Sequence, residues 1–178
     1  LLIRSAGAES VSAQKASSKE ISSLIEKFKS NDEREIDAAI EKLIKIGEPA
    51  IPALTEALQD KNSLVGRSAA EVLAKIGPPA IPALAKGLKN SDPFVRIISA
   101  SALERIRAEA KTAVPLLVPA LKDSEARVRS SAASALGSLG AEAKTAVPQL
   151  IPLLKDSDAN VRFTATSALG KIGTEAKM

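Results

Sequence analysis

The octapeptide AEAKTAVP occurs twice, at Ala108–Pro115 and again at Ala141–Pro148, letter for letter and 33 residues apart. An internal repeat this long obliges the chain to use one structural joint at least twice, and folds made that way are arrays of stacked units. Laid against itself, the sequence falls into register well beyond the octapeptide. Pro52, Pro82, Pro115 and Pro148 form one column, each preceded by Ile or Val; Leu43, Leu73, Leu103, Leu136 and Leu169 form a second. Asp60, Asn90, Asp123 and Asp156 form a third, where one helical pattern stops and the next begins.

Each unit reads as two helices. In Thr112–Lys122, Val114, Leu117, Val118 and Leu121 make an apolar stripe at helical spacing. Thr112 is the expected N-cap and Pro115 the first-turn proline. Pro119 and its counterpart Pro152 lie deeper and should kink the helix. After the turn at Asp123-Ser124 the second helix is expected over about 125–139, with Val128, Ala132, Ala135, Leu136 and Leu139 on one face. Gly140 should end it by taking the left-handed conformation, as Gly47, Gly77 and Gly173 should end their counterparts. Small residues on the second helices allow close approach, which a chain with 2% aromatic residues needs to build a core. The expected organisation is a Ser/Ala-rich arm or linker over residues 1–17, then a solenoid over 18–178 in five units: 18–47, 48–77, 78–107, 108–140 and 141–173. Residues 173–177 read as the opening of a further joint, so the array is expected to be a monomer or a piece of a longer chain.

The segments around Asp156-Ser157-Asp158-Ala159-Asn160-Val161-Arg162 with Ala168-Leu169-Gly170-Lys171-Ile172-Gly173, and around Asp123 with Val128-Arg129 and Ala135-Leu136-Gly137, resemble the HEAT repeat in its bacterial, phycobilisome-lyase-type variety. The resemblance covers about residues 48–173 well and the first pair loosely. It departs at Val65-Gly66, where glycine replaces the motif's arginine and puts that arginine's structural bond in doubt. The resemblance implies an all-α, right-handed α-solenoid used as a protein-binding scaffold, with the second helices lining its concave face.

Chemistry of the chain's own is not expected. Without histidine or cysteine the commonest general bases, thiolate nucleophiles and zinc ligands are missing. Ser12-x-x-Lys15 matches a serine–lysine pattern only by letter, in a stretch with nothing to hold its geometry. The aspartate column recurs once per unit, which is the signature of turn chemistry and not of an acid–base pair. No cofactor or metal is therefore expected, and an accessory enzyme acting on bilins, which the resemblance allows, is a third reading. The net charge of +4 is too mild to announce a nucleic-acid partner. Arg96, Arg129 and Arg162, with Arg105, Arg107 and Arg127, could form a basic ridge for nucleic acid. The favoured reading has each ladder arginine bonding a turn aspartate or a carbonyl of the adjoining unit. No apolar run reaches the length of a membrane span, and the lack of cysteine leans toward the cytosol without deciding the compartment.

A protein or peptide partner should meet the positions that point away from the packed stripe. Across the units these are Arg67, Glu71 and Ala74; Ile97, Ser101 and Glu104; Ser130, Ser134 and Gly137; Phe163, Ser167 and Gly170. The expected contact residues are Arg67, Glu71, Ile97, Ser101, Ser130, Ser134, Phe163 and Ser167. Ile97 and Phe163 stand out in an otherwise polar column, as anchors for a bound segment or as residues covered by a neighbouring helix. Ile98 belongs to the interface between units.

Overall fold

The computed structural model describes residues 17–106 and 110–175. The arm of residues 1–16, the Ser12–Lys15 pattern and Arg107 lie outside the described residues. Within them the chain is an all-α solenoid without strands.

The second helices are the regular elements: α2 (Glu33–Ile46), α4 (Ser63–Ile76), α6 (Pro93–Arg105), α8 (Ala126–Ser138) and α10 (Ala159–Glu175). All but α8 start at a side chain that satisfies one of the first free backbone N–H groups. Asp32, Asn62 and Asp92 accept from the amides of Arg34, Leu64 and Phe94 at 2.9, 3.0 and 2.8 Å, and Asp158 accepts from Asn160 at 2.8 Å. Two residues ahead of each later cap, the column Asp60, Asn90, Asp123 and Asp156 accepts the amide two positions on, at 2.8 to 2.9 Å. These are the expected turn aspartates.

The first helices are shorter, and in the fourth and fifth units they are broken by proline. They comprise α1 (Ser18–Glu26), α3 (Ile51–Ala57), α5 (Ile81–Gly87), α7 (Ala110–Leu117) and α9 (Val147–Leu150), flanked by 3-10 turns. Pro119 and Pro152 each open a 3-10 segment, Val118–Lys122 and Ile151–Lys155, because a residue without an N–H cannot complete the i→i−4 ladder. Two expectations need correcting. The fourth unit's first helix begins at Ala110, so Thr112 lies inside it and Pro115 is interior. Gly47, Gly77 and Gly140 do take positive φ, at 71°, 89° and 58°, but Gly173 does not end α10, which runs on to Glu175. After the other three, the chain turns back into a segment whose alanine (Ala50, Ala80 or Ala143) is fully buried. The described residues include no such segment after Gly173, so helical hydrogen bonding prevails.

One continuous core runs the length of the array. Leu43, Leu73, Leu103 and Leu136 are each 0% exposed, and the alanines Ala69, Ala132 and Ala165 are buried among them.

Candidate partner-binding face

The packed stripe of α4 (Val65, Ala69, Val72, Leu73) and that of α6 (Val95, Ile98, Ala102, Leu103) turn inward. Helical geometry then carries residues two and six positions after Val65 and Val95 to the open side. Arg67, Glu71, Ile97 and Ser101 meet there and line a cleft of ≈ 240 Å³ with Arg105. Glu71 anchors its rim, with Lys75 at 3.2 Å and Arg105 at 3.9 Å. Ile98 is buried between units, as expected.

Ile97 also walls a second, wider cleft of ≈ 590 Å³, shared with Arg67, Phe94, Arg127, Ser130 and Asp158. Arg67 links the two clefts, its guanidinium carbon 5.3 Å from the centre of the Phe94 ring. Phe94 was not singled out in the sequence, although a signal existed. Gly66 replaces the repeat arginine there, and a Cβ at Gly66 would stand 3.2 Å from Phe94 Cε1 and 3.1 Å from the Leu58 carbonyl. The glycine makes room for the ring, and the ring carries Arg67.

The remaining expected residues separate. Ser130 turns partly toward the next unit, its Oγ 3.0 Å from Thr164 Oγ1. Ser134, Phe163 and Ser167 line neither cleft; Phe163 and Ser167 are exposed, Phe163 to 77%. Ile97 is half-buried and so only partly the free apolar residue its column suggested. A larger opening of ≈ 730 Å³ lies among the first helices of units 4 and 5, walled by Val114, Pro115, Val118 and Pro119, and includes none of the expected contact residues.

Two of the ladder arginines are consumed in joints between units. Arg96 donates Nε and Nη2 to both Asp123 oxygens at 2.7 and 2.8 Å, and Nη1 to the Asn90 and Ser91 carbonyls. Arg129 does the same to Asp156 at 2.8 and 2.7 Å, with Nη1 on the Asp123 and Ser124 carbonyls. The carbonyls thus belong to the arginine's own turn and only the carboxylate to the adjoining unit. All four paired side chains are 11–14% exposed, too enclosed to form a phosphate ridge. Burial pushes the Asp123 carboxyl up, but the Arg96 and Glu125 hydrogen bonds and the nearby guanidinium charges outweigh it and hold it below 3.8. The Arg129 hydrogen bonds do the same for Asp156.

HEAT repeats match the sequence in three overlapping segments, residues 21–104, 81–147 and 114–178. No curated protein matches it. Among solved structures, the complex of CpcE and CpcF of phycocyanin lyase from Nostoc sp. PCC7120 is similar at 24% identity and a TM-score of 0.64, over 83% of this chain and 96% of that one. Human deoxyhypusine hydroxylase is similar at 21% identity and 0.60, over 89% and 75%. A designed armadillo repeat protein in complex with the peptide (KR)4 is similar at 20% and 0.52, over 89% and 87%. These likenesses concern the fold alone.

Proposed function

The chain belongs to the HEAT-repeat family, and from that premise we propose that it is a non-catalytic scaffold that binds a polypeptide along the face of its second helices. The observation that carries this reading is the convergence of Arg67, Glu71, Ile97 and Ser101 on one cleft that continues past Ile97 to Ser130. A partly buried aliphatic floor with a charged rim is the arrangement in which a few anchors supply most of the binding energy. Phe163 stands two units further along in the same column. At an interhelical spacing of 8–10 Å per unit the two anchors are roughly 20 Å apart, the reach of about six extended residues.

The enclosure of Arg96 and Arg129 weighs against nucleic acid, since phosphate neutralisation needs reachable cations. The likeness to CpcE and CpcF brings no chromophore chemistry to this chain.

The test is parallel affinity capture with the parent chain, an Ile97→Asp/Phe163→Asp variant and a Ser101→Arg variant that fills the cleft without touching the core. Helicity is checked by circular dichroism. A polypeptide partner should be held at moderate salt by the parent and lost by at least tenfold from both variants. Equal retention by all three baits would remove the face from consideration, and capture that collapses steeply with salt would favour nucleic acid.

A further inference from the structure

We infer that the outer face of the fifth unit is a socket for one more helix pair of the same repeat type, one that brings a turn carboxylate to Arg162 and a small residue to Gly170. Arg162 repeats the posture of Arg96 and Arg129: its Nη1 donates to the Asp156 and Ser157 carbonyls at 2.8 and 2.9 Å. The same guanidinium edge that grips Asp123 and Asp156 at the two preceding joints meets no carboxylate among the described residues, and the side chain is exposed.

A second observation is steric and independent of charge. At the joint between units 4 and 5, α10 presses on α8 so closely that a Cβ at Gly137 would lie 2.7 Å from Ala168 Cα. Gly170 occupies the same column one unit later, and a Cβ there would meet nothing within 4 Å. The notch is cut and unfilled. Around it, Leu154 is 40% exposed where its counterparts Leu58 and Leu121 are 1% exposed and Leu88 is partly buried. Leu169 is only partly buried where its four column mates are fully so.

The complementary chemistry favours such a unit over a second copy of this chain. In the first unit the turn column holds Ser30 in place of aspartate, and the column of Ala168 holds Lys42, exposed on α2. Stacked head to tail, that unit would set a lysine against the Gly170 notch, and the carboxylate that meets its turn column, Glu35, is already held by Ser30 Oγ at 2.7 Å and Lys27 Nζ at 3.0 Å. Packing two fifth units face to face would carry two Arg162 side chains into one interface.

The experiment extends the full chain after Gly173 by one 33-residue unit copying residues 141–173, and follows thermal unfolding with and without Arg162→Gln. The extended chain should melt in one transition above the parent's midpoint. Arg162→Gln should lower that midpoint by about 3 °C or more, yet leave the unextended chain within about 1 °C. Gly170→Leu should likewise harm only the extended chain. Separate melting of the added unit, or equal effects of Arg162→Gln in both backgrounds, overturns the inference. So does a dimer of the unextended chain, seen by sedimentation and dissolved by Leu154→Asp, because the occupant would then be a second copy. The clefts at Ile97 are untouched by these changes, so either result leaves that part of the proposed binding face standing.

Discussion

Ser99 and Gly87 share one methyl-sized volume. The column of Ser99 otherwise holds Ala69, Ala132 and Ala165, all fully buried, and the column of Gly87 holds Ala57, Ala120 and, in the fifth unit, Leu153. In the third unit the Ser99 hydroxyl takes the space of the missing Gly87 methyl, so that a Cβ at Gly87 would collide with Ser99 Oγ. The hydroxyl has no hydrogen-bond partner among the described residues and is 0% exposed. An unpaired buried hydroxyl costs about 1–3 kcal/mol, against which removing it leaves a void of about one methyl. Ser99→Ala is expected to stabilise by about 1 kcal/mol, and Gly87→Ala alone to destabilise by about 1–2 kcal/mol through overpacking. The double variant restores the alanine pair of units 2 and 4 and should exceed the sum of the two single effects by about 1 kcal/mol or more. Urea unfolding of the four proteins measures this directly; strict additivity would show that the two sites do not share the volume.

Glycine also separates what could be read at the scale of elements from what could not. The sequence announces where second helices stop, and Gly47, Gly77 and Gly140 obey because each is followed by a turn that buries an alanine. Gly173 carries the same letter without that following contact, and stays helical. Proline positions foretold where first helices break, but not that the two copies of one octapeptide would differ. Lys111–Val114 is α-helical, whereas Lys144–Ala146 belongs to the 3-10 segment Gly140–Ala146. Helical periodicity put Arg67, Glu71, Ile97 and Ser101 in one outward column, and these four line one cleft. It could not reveal the Phe94 ring in the space left by Gly66, because that contact joins two units. Close approach was legible only as an abundance of small residues, and its location becomes a prediction. Gly137→Ala should destabilise by about 1–3 kcal/mol, since α10 cannot give way without leaving its joint. Gly170→Ala should stabilise by about 0.5–1 kcal/mol, since a methyl there enters open space and alanine favours the helix. Calorimetric midpoints of the two variants should therefore move in opposite directions, and a fall in both would place a close neighbour at Gly170.

Across the whole array the joints are not equivalent, and the difference is electrostatic. Units 3 and 4, and units 4 and 5, are fastened by enclosed two-bonded arginine–aspartate pairs. Between units 2 and 3 both partners are absent: Gly66 stands in the arginine column and the neutral Asn90 in the aspartate column, with Phe94 packed where the arginine would lie. Between units 1 and 2 the ion pair Lys29–Asp60 is 3.8 Å long and solvated, a geometry that adds little stability. In a solenoid, stability is carried by each unit and its nearest-neighbour joints, so a stress that acts on the pairs should act locally. Acid is that stress. Asp123 and Asp156 have folded-state pKa values below the ordinary 3.8, so their contribution is fully present above that value and lost as pH falls through the depressed folded values. Hydrogen exchange, corrected for intrinsic rates, should show α8 and α10 losing protection as the pH falls below the ordinary carboxylate range while α4, whose joints hold no such pair, keeps more of its own. Arg129→Gln at neutral pH should reproduce the loss at the joint between units 4 and 5 alone. Uniform loss along the array in acid would mean that the chain unfolds as one cooperative block, and that the paired joints govern global stability instead of the order in which units open.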